Sequence, residues 1–203
     1  MGYVYFDTET TGLSPGQIGE LSIIVENNGQ ITLAKNYFFK VDSMQPDAEK
    51  THGFSIEDFE RLSEGKTFAD YKDELADIFN NNGLVAHNLP FDEKFLSSEF
   101  WNCRTHFKPI ERNDTMVYFK NVLKIPAKSR RFGPYKNPRL SEVVDALGID
   151  MSKVQALCDN LFGAGENIGY HDSRLDTTAM FVAVNVQREK LHGGTAWRDA
   201  YCK

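Results

Sequence analysis

The sequence predicts an α/β fold: a mixed sheet flanked by helices. Three observations predict it. The chain starts with an apolar run, Tyr3-Val-Tyr-Phe6, which ends in two acids one residue apart, Asp7 and Glu9. Two longer apolar stretches follow, Ile18 to Val25 and Ile31 to Val41, joined by Asn27-Asn28-Gly29, a hairpin signal. Beyond them, short strand-like runs alternate with segments of helical period. A meander of strands followed by alternating strands and helices gives a mixed sheet with helices on its faces.

The elements follow in order. Asp47 to His52 and Ser55 to Leu62 read as short helices, and Ser55-Ile-Glu-Asp58 resembles a capping box. Phe68 to Phe79 places apolar residues at 68, 71, 75, 78 and 79, a helical spacing that Asn80-Asn-Asn-Gly83 stops. Leu84 to His87 is a short buried strand. Asn88 then opens a helix as its N-cap, with Pro90 in the first turn, running to about Trp101. Ile110 to Asn113 reads as a strand and Asp114 to Leu123 as a helix. Lys124 to Arg139 holds three prolines and a glycine, so it is a loop or at most an irregular hairpin. Leu140 to Leu147 is a helix ended by Gly148. Residues 150–168 leave room for one more short helix and a loop with Gly163 and Gly165. Ser173 to Lys190 is the last long helix.

The 203 residues are 41% hydrophobic and 26% charged, which suits one domain with a sizeable core. That domain is expected over residues 1–190, with 191–203 as a polar, peripheral C-terminal tail. No apolar run reaches the ~18 residues of a membrane span, and no signal peptide precedes the first strand, so no membrane partner is expected. Cys103, Cys158 and Cys202 read as free thiols in a reducing, cytoplasmic compartment. A net charge of −6 argues against broad, non-specific nucleic-acid binding. The total hides Lys124, Lys128, Arg130, Arg131, Lys136 and Arg139, with no acid among them.

Side chains alternate along a strand, so Asp7 and Glu9 share a face at its end. Two carboxylates that close repel unless a cation sits between them, and hard cations such as Mg²⁺ or Mn²⁺ prefer such oxygens. Three further pieces carry chemistry: His87-Asn88-Leu-Pro-Phe91-Asp92, Asp114-Thr115, and His171-Asp172-Ser-Arg-Leu-Asp176. Each alone has a plainer explanation. Asp92 suits any helix start, Asp176 and Asp114 suit capping, and His171 suits a surface.

Taken in order, these pieces resemble the DEDDh branch of the proofreading-like 3′→5′ exonucleases, the epsilon-like and RNase T-like superfamily. The family's Asp-x-Glu, its Asn-x-x-Phe-Asp type segment and its histidine five residues before an aspartate match Asp7, Glu9, Asp92, His171 and Asp176. His52-Gly53-Phe54-Ser55 resembles the family's His-Gly-Ile-Thr, and Pro138-Arg139-Leu140-Ser141 a segment of some members. The likeness spans roughly residues 3 to 186.

The resemblance implies a ribonuclease H-like fold with a central five-stranded mixed sheet. It implies Asp7, Glu9, Asp92 and Asp176 as ligands of two divalent cations, Mg²⁺ or Mn²⁺, and His171 as general base. The expected activity is metal-dependent hydrolysis of nucleic acid from the 3′ end, giving nucleoside 5′-monophosphates. The physics agrees: two cations ~3.5–4 Å apart activate water, offset the pentavalent charge and assist the leaving oxygen. Five residues at ~100° each would turn His171 ~140° from Asp176 on a common helix, so His171 belongs on the loop before it, aided by Gly169. Thr10 and Leu13 match positions that touch the terminal nucleotide, with His52 and Phe91 as further substrate contacts. The basic segment, with Phe132 and Tyr135, either tracks phosphates or is a solvated loop. The rival reading is a non-catalytic or proofreading-type binding subunit of a DNA polymerase, replication or repair complex.

Overall fold

The first apolar run becomes the middle strand of the sheet, β1 (Gly2–Thr10). The computed structural model describes residues 2–13, 16–129, 131, 133–164 and 171–203. Arg130, Phe132, Gly165 and Gly169, on which sequence expectations fell, lie outside them. Beside β1 stand β2 (Ile18–Asn27) and β3 (Gln30–Phe38) on one side, β4 (Asn82–Ala86) and β5 (Glu111–Asp114) on the other. The order is β3-β2-β1-β4-β5. β1, β2 and β3 pair antiparallel, whereas β4 and β5 run parallel to β1, so the sheet is mixed and five-stranded. At the β2–β3 hairpin Asn28 and Gly29 both adopt positive φ, the geometry that selects Asn-Gly in tight turns.

Val4, Tyr5 and Phe6 are all fully buried, as a strand covered on both faces requires. Val4 and Phe6 face one cluster, built with α3 (Phe68–Asn81) and α4 (Leu89–Asn102). The ring of Phe6 meets Phe79 edge-on at 5.1 Å. Tyr5 faces the other cluster, packing edge-on against Phe181 at 4.9 Å in α8 (Ser173–His192). By alternation Asp7 and Glu9 lie on the Tyr5 face, under the start of α8. That face also carries α5 (Thr115–Leu123), α6 (Leu140–Leu147) and α7 (Met151–Phe162). Short helices α1 (Pro46–His52) and α2 (Ile56–Ser63) link β3 to α3. Gly53 closes α1 at φ 81°, and Ser55 opens α2 with a complete capping box, which leaves His52 at a corner.

Several local expectations change. The apolar stretch that suggested a strand to Val41 leaves the ladder after Phe38; the Phe39 N–H still donates to Gly19 O of β2 at 2.9 Å, and Phe39 and Val41 stay buried in the core. Asn88 occupies the N-cap of α4, but at φ 76° its side chain caps nothing, and its N–H donates to Asp114 Oδ1 at 3.1 Å. Residues 191–203, which stay exposed or half-buried, are not structureless. They include α9 (Ala196–Tyr201), whose Trp197 ring meets Phe181 at 5.4 Å, while Asp150 N–H donates to Tyr201 O at 2.7 Å. Within the described part of the basic segment, Pro126 and Tyr135 form an isolated antiparallel bridge. Among the described residues no helix is long and apolar enough to cross a membrane.

Candidate active site

The C-terminal end of β1 carries Asp7 and Glu9, opposite Ser22 and Glu20 of β2. The ladder becomes irregular between Glu9 and Thr10, which releases the chain from the sheet just past the second acid. Asp92 arrives from the first turn of α4, where Pro90 starts the helix. It is buried, and the Thr8 hydroxyl, from the other face of β1, donates to its Oδ1 at 2.7 Å. Asp176 stands in the first turn of α8. His171 sits on the turn before that helix at φ 67°. A left-handed conformation at a non-glycine residue costs ~1–3 kcal/mol and persists only where its surroundings impose it.

These acids feel one another. Burial first, then Asp92, Asp176 and Glu9, hold the Asp7 carboxyl well above its usual range. Glu9 is raised in the same way, by burial and then by Glu20, Asp176 and Asp92. Burial pushes Asp92 up to about 7 against the pull of the Thr8 hydroxyl. It pushes Asp176 up to about 6, with the nearby His171 opposing. The donor set is therefore four carboxylates with hard oxygens, Glu9 and Asp92 buried and Asp7 and Asp176 half-buried, which fits divalent cations of the Mg²⁺ or Mn²⁺ type. Among the described residues no three His, Cys, Asp or Glu side chains stand close enough to form a ready-made cage. The arrangement is an acidic cleft, not a closed coordination shell.

The remaining predicted contacts surround this cleft unevenly. Thr10 is buried, its hydroxyl donating to Gly12 O at 3.2 Å. Leu13 is 73% exposed, and its carbonyl accepts from Lys94 Nζ at 2.6 Å. His52 accepts the Phe54 N–H at Nδ1, while its buried Nε2 faces the Thr10 backbone without closing a hydrogen bond to a described residue. Burial lowers its pKa, and the neighbouring His171 lowers it further. Phe91 is half-buried against Phe95, so much of its ring belongs to the core. Asp114 caps α5 and braces Asn88.

Sequence reasoning missed the support behind the acids. Glu20 and Ser22 of β2, with Asp172, Ser173 and Arg174 at the start of α8, form a buried polar cluster. Glu20 is one of two acids, with Glu26, in a mostly apolar strand, and the sequence alone does not single it out. His87, quoted above within a motif, was given no role of its own. Its ring bridges Thr115 Oγ1 at 2.9 Å and Pro138 O at 3.0 Å, tying the basic segment's end to β4. A cavity of about 570 Å³ opens there, with His87, Arg139 and Ser141 on one side and His171 and Asp176 on the other.

The exonuclease family model (RNase_T) matches residues 4–181. The chain is 30% identical over 161 residues to a DNA polymerase III subunit epsilon of Haemophilus influenzae, covering 74% of this chain and 58% of that one. It is 29% identical over 150 residues to a PolC-type DNA polymerase III of Mycoplasmopsis pulmonis, covering 72% of this chain and 10% of the relative. Among solved structures, E. coli Exonuclease I in complex with a dA16 oligonucleotide superposes with a TM-score of 0.66 at 15% identity, over 92% of this chain and 40% of that one. The last comparison shows the fold. The chain spans no more than about three-fifths of either polymerase relative.

Proposed function

Because the chain belongs to the exonuclease family of the RNase T type, we propose that it is a metal-dependent 3′→5′ exonuclease. Its proposed substrate is single-stranded DNA and its products are nucleoside 5′-monophosphates. The observation that carries this reading is the convergence of Asp7, Glu9, Asp92 and Asp176 as mutually repelling, buried or half-buried carboxylates beside His171. Structural acids are normally paired or hydrogen-bonded inside a protein. These cost stability unless a cation neutralises them, which suits a site built to hold one.

In this reading the four carboxylates hold two divalent cations, Mg²⁺ or Mn²⁺. When bound, such cations supply an activated water and offset the charge that develops around phosphorus. Thr8 orients Asp92 through its hydroxyl, leaving the second carboxylate oxygen for the cleft. His171, on its turn beside Asp176, takes the proton of the attacking water on an imidazole nitrogen. Leu13 projects from the end of β1 as an apolar wedge for the terminal base, with Thr10 and His52 beside it and the exposed edge of Phe91 across the cleft. Stacking and apolar contact tolerate any base, so little sequence preference is expected. Exposed Lys124, Lys128 and Arg139 would meet phosphates leading to the cleft.

Single-stranded DNA is chosen because the similar solved fold of Exonuclease I carries a dA16 oligonucleotide. The epsilon relatives make a DNA polymerase or replication complex the proposed partner. Three free cysteines suit a reducing compartment, here the cytoplasm. The test is digestion of 5′-labelled single-stranded DNA and RNA with and without Mg²⁺ or Mn²⁺. Stepwise shortening from the 3′ end, metal-dependent and faster on DNA, is expected. Folded protein that digests neither would leave the binding-subunit reading in its place.

A further inference from the structure

β2 stands between the acids of β1 and the start of α8, and the same two β2 residues touch both. Ser22 pairs with Asp7 and Glu20 with Glu9 across the antiparallel ladder. Ser22 Oγ also lies 2.7 Å from Ser173 Oγ, and Glu20 Oε2 accepts the Ser173 N–H at 3.2 Å. The first residue of α8 is thus registered to the strand that registers the catalytic acids. Arg174 closes this arrangement. Its Nε donates to Asp172 Oδ1 at 2.9 Å, its Nη2 donates to Asp172 Oδ2, and its Nε stands 3.7 Å from Glu20 Oε1. Asp172 in turn accepts the Arg174 N–H as the helix N-cap. Asp172, Glu20 and Arg174 are all buried, and Asn36 Nδ2 donates to the same Glu20 Oε1 at 2.9 Å.

We propose that Arg174 is a positioning residue for the reaction: by clamping Asp172 and Glu20 it locks the start of α8 to β2, and so fixes where His171 and Asp176 stand against Asp7 and Glu9. The inference rests on the exonuclease reading above. Capping alone does not call for an arginine, since Asp172 caps the helix with its own carboxylate. The planar guanidinium grips both oxygens of Asp172 while its Nε still faces Glu20 in ion-pair range, a geometry that a point charge lacks. Rigidity matters because a one-residue slip at a helix start turns each side chain by ~100° and moves it ~1.5 Å. Misplacement of ~1 Å can cost ~10²-fold in rate. Without Arg174, Glu20 and Asp172 would be two buried carboxylates with backbone and Asn36 donors but no cation, beside the four acids of the cleft.

The experiment compares Arg174→Met, Arg174→Lys and the triple variant Glu20→Gln, Asp172→Asn, Arg174→Met, in which the cluster carries no charge. For each, kcat and KM on a single-stranded oligonucleotide at saturating Mn²⁺, the melting temperature, and Mn²⁺ affinity by calorimetry are measured. Arg174→Met should lower kcat ~10–100-fold, the range for groups that orient metal ligands, with KM within ~2-fold and Mn²⁺ bound more weakly. Arg174→Lys should regain most of the melting temperature but not the rate. The triple variant should regain stability, because no buried charge is left unpaired, and stay slow. Parental kcat in the triple variant would mean that charge balance is all Arg174 supplies, and would overturn the proposal. Should the parental protein digest nothing, the exonuclease reading fails, and calorimetry still decides: Mn²⁺ affinity unchanged in Arg174→Lys and the triple variant overturns the positioning role, and weakened affinity upholds it. Those two variants carry the test if Arg174→Met does not fold.

Discussion

The face of the sheet under α8 has two ends, and they treat buried acids in opposite ways. Near the start of β1, Glu26 is buried but satisfied. Tyr5 donates to it at 2.9 Å and Arg188 at 2.7 Å, and Arg188 also donates to the Tyr5 hydroxyl at 3.1 Å. At the far end of the same strand, Asp7 and Glu9 meet further acids, and both are raised by burial and repulsion. One end is an ordinary internal ion pair, half-open to water through Arg188. The other stores repulsion. Same strand and same covering helix thus separate charge that holds the fold from charge that waits for a cation.

The sharpest way to break this contrast is Asp7→Asn. Activity should vanish almost entirely, and calorimetric titration should show weaker or fewer Mn²⁺ sites. Without metal the variant should melt higher than the parent, because a repelling carboxylate is gone. Each kcal/mol relieved corresponds to ~2–4 °C for a chain of this size. Unchanged Mn²⁺ binding, or a lower metal-free melting temperature, would put Asp7 among the structural acids.

His171→Ala should come next, lowering kcat by roughly 10²–10⁴, the usual span of general acid–base catalysis. Mn²⁺ affinity should hardly move, because His171 is assigned to a proton and not to a metal. Loss of Mn²⁺ binding together with activity would make it a ligand or a brace for α8.

How much of this was legible in the sequence depended on whether the signal was local. The β2–β3 turn is written in Asn28-Gly29, and α2 in Ser55 and Asp58, because backbone φ and capping are decided within four residues. The acids were legible because each sits at an element end and because the motif order resembles a family. Glu20 and Arg174 were not, since an acid in a strand and an arginine in a first helical turn are unremarkable until the fold joins residues 153 positions apart, as the Glu20–Ser173 bond does. α9 was missed for another reason. Six residues are too few to show a period, and such a helix is held by packing, here Trp197 on Phe181.

The contrast also has a pH signature. Folding raises Asp92 to about 7 and Asp176 to about 6, from 3.8. A carboxyl whose folded pKa is raised favours the fold when protonated, so its stabilising contribution is complete below about pH 4. It is lost as pH rises through about 6 to 7. The metal-free protein should therefore melt higher at pH 5 than at pH 8, and Mg²⁺ or Mn²⁺ should narrow the gap by binding the ionised acids. Differential scanning calorimetry in chelator and in metal measures both slopes. A metal-free melting temperature that climbs from pH 5 to pH 8 would show that these acids are compensated within the protein.

The smallest effect on activity is expected at the satisfied end. Arg188→Met removes the donor to Glu26 and Tyr5 while keeping an apolar stem over the sheet. Among the described residues, Glu26 then remains buried with only the Tyr5 hydroxyl as a side-chain donor. Losing a hydrogen bond to a charged group typically costs ~1.5–3 kcal/mol, and because Arg188 is partly exposed the lower end applies. The variant should melt lower, with or without Mn²⁺, while kcat, KM and Mn²⁺ affinity stay parental. Stability would then fall where activity does not, the reverse of Asp7→Asn, which loses activity while gaining metal-free stability. Chemical denaturation gives the stability change, and oligonucleotide digestion well below the melting temperature gives kcat. A fall in kcat of the folded variant would show that the two ends of β1 are coupled through α8, so that the Tyr5–Glu26–Arg188 cluster helps to set the angle at which the helix presents Asp176.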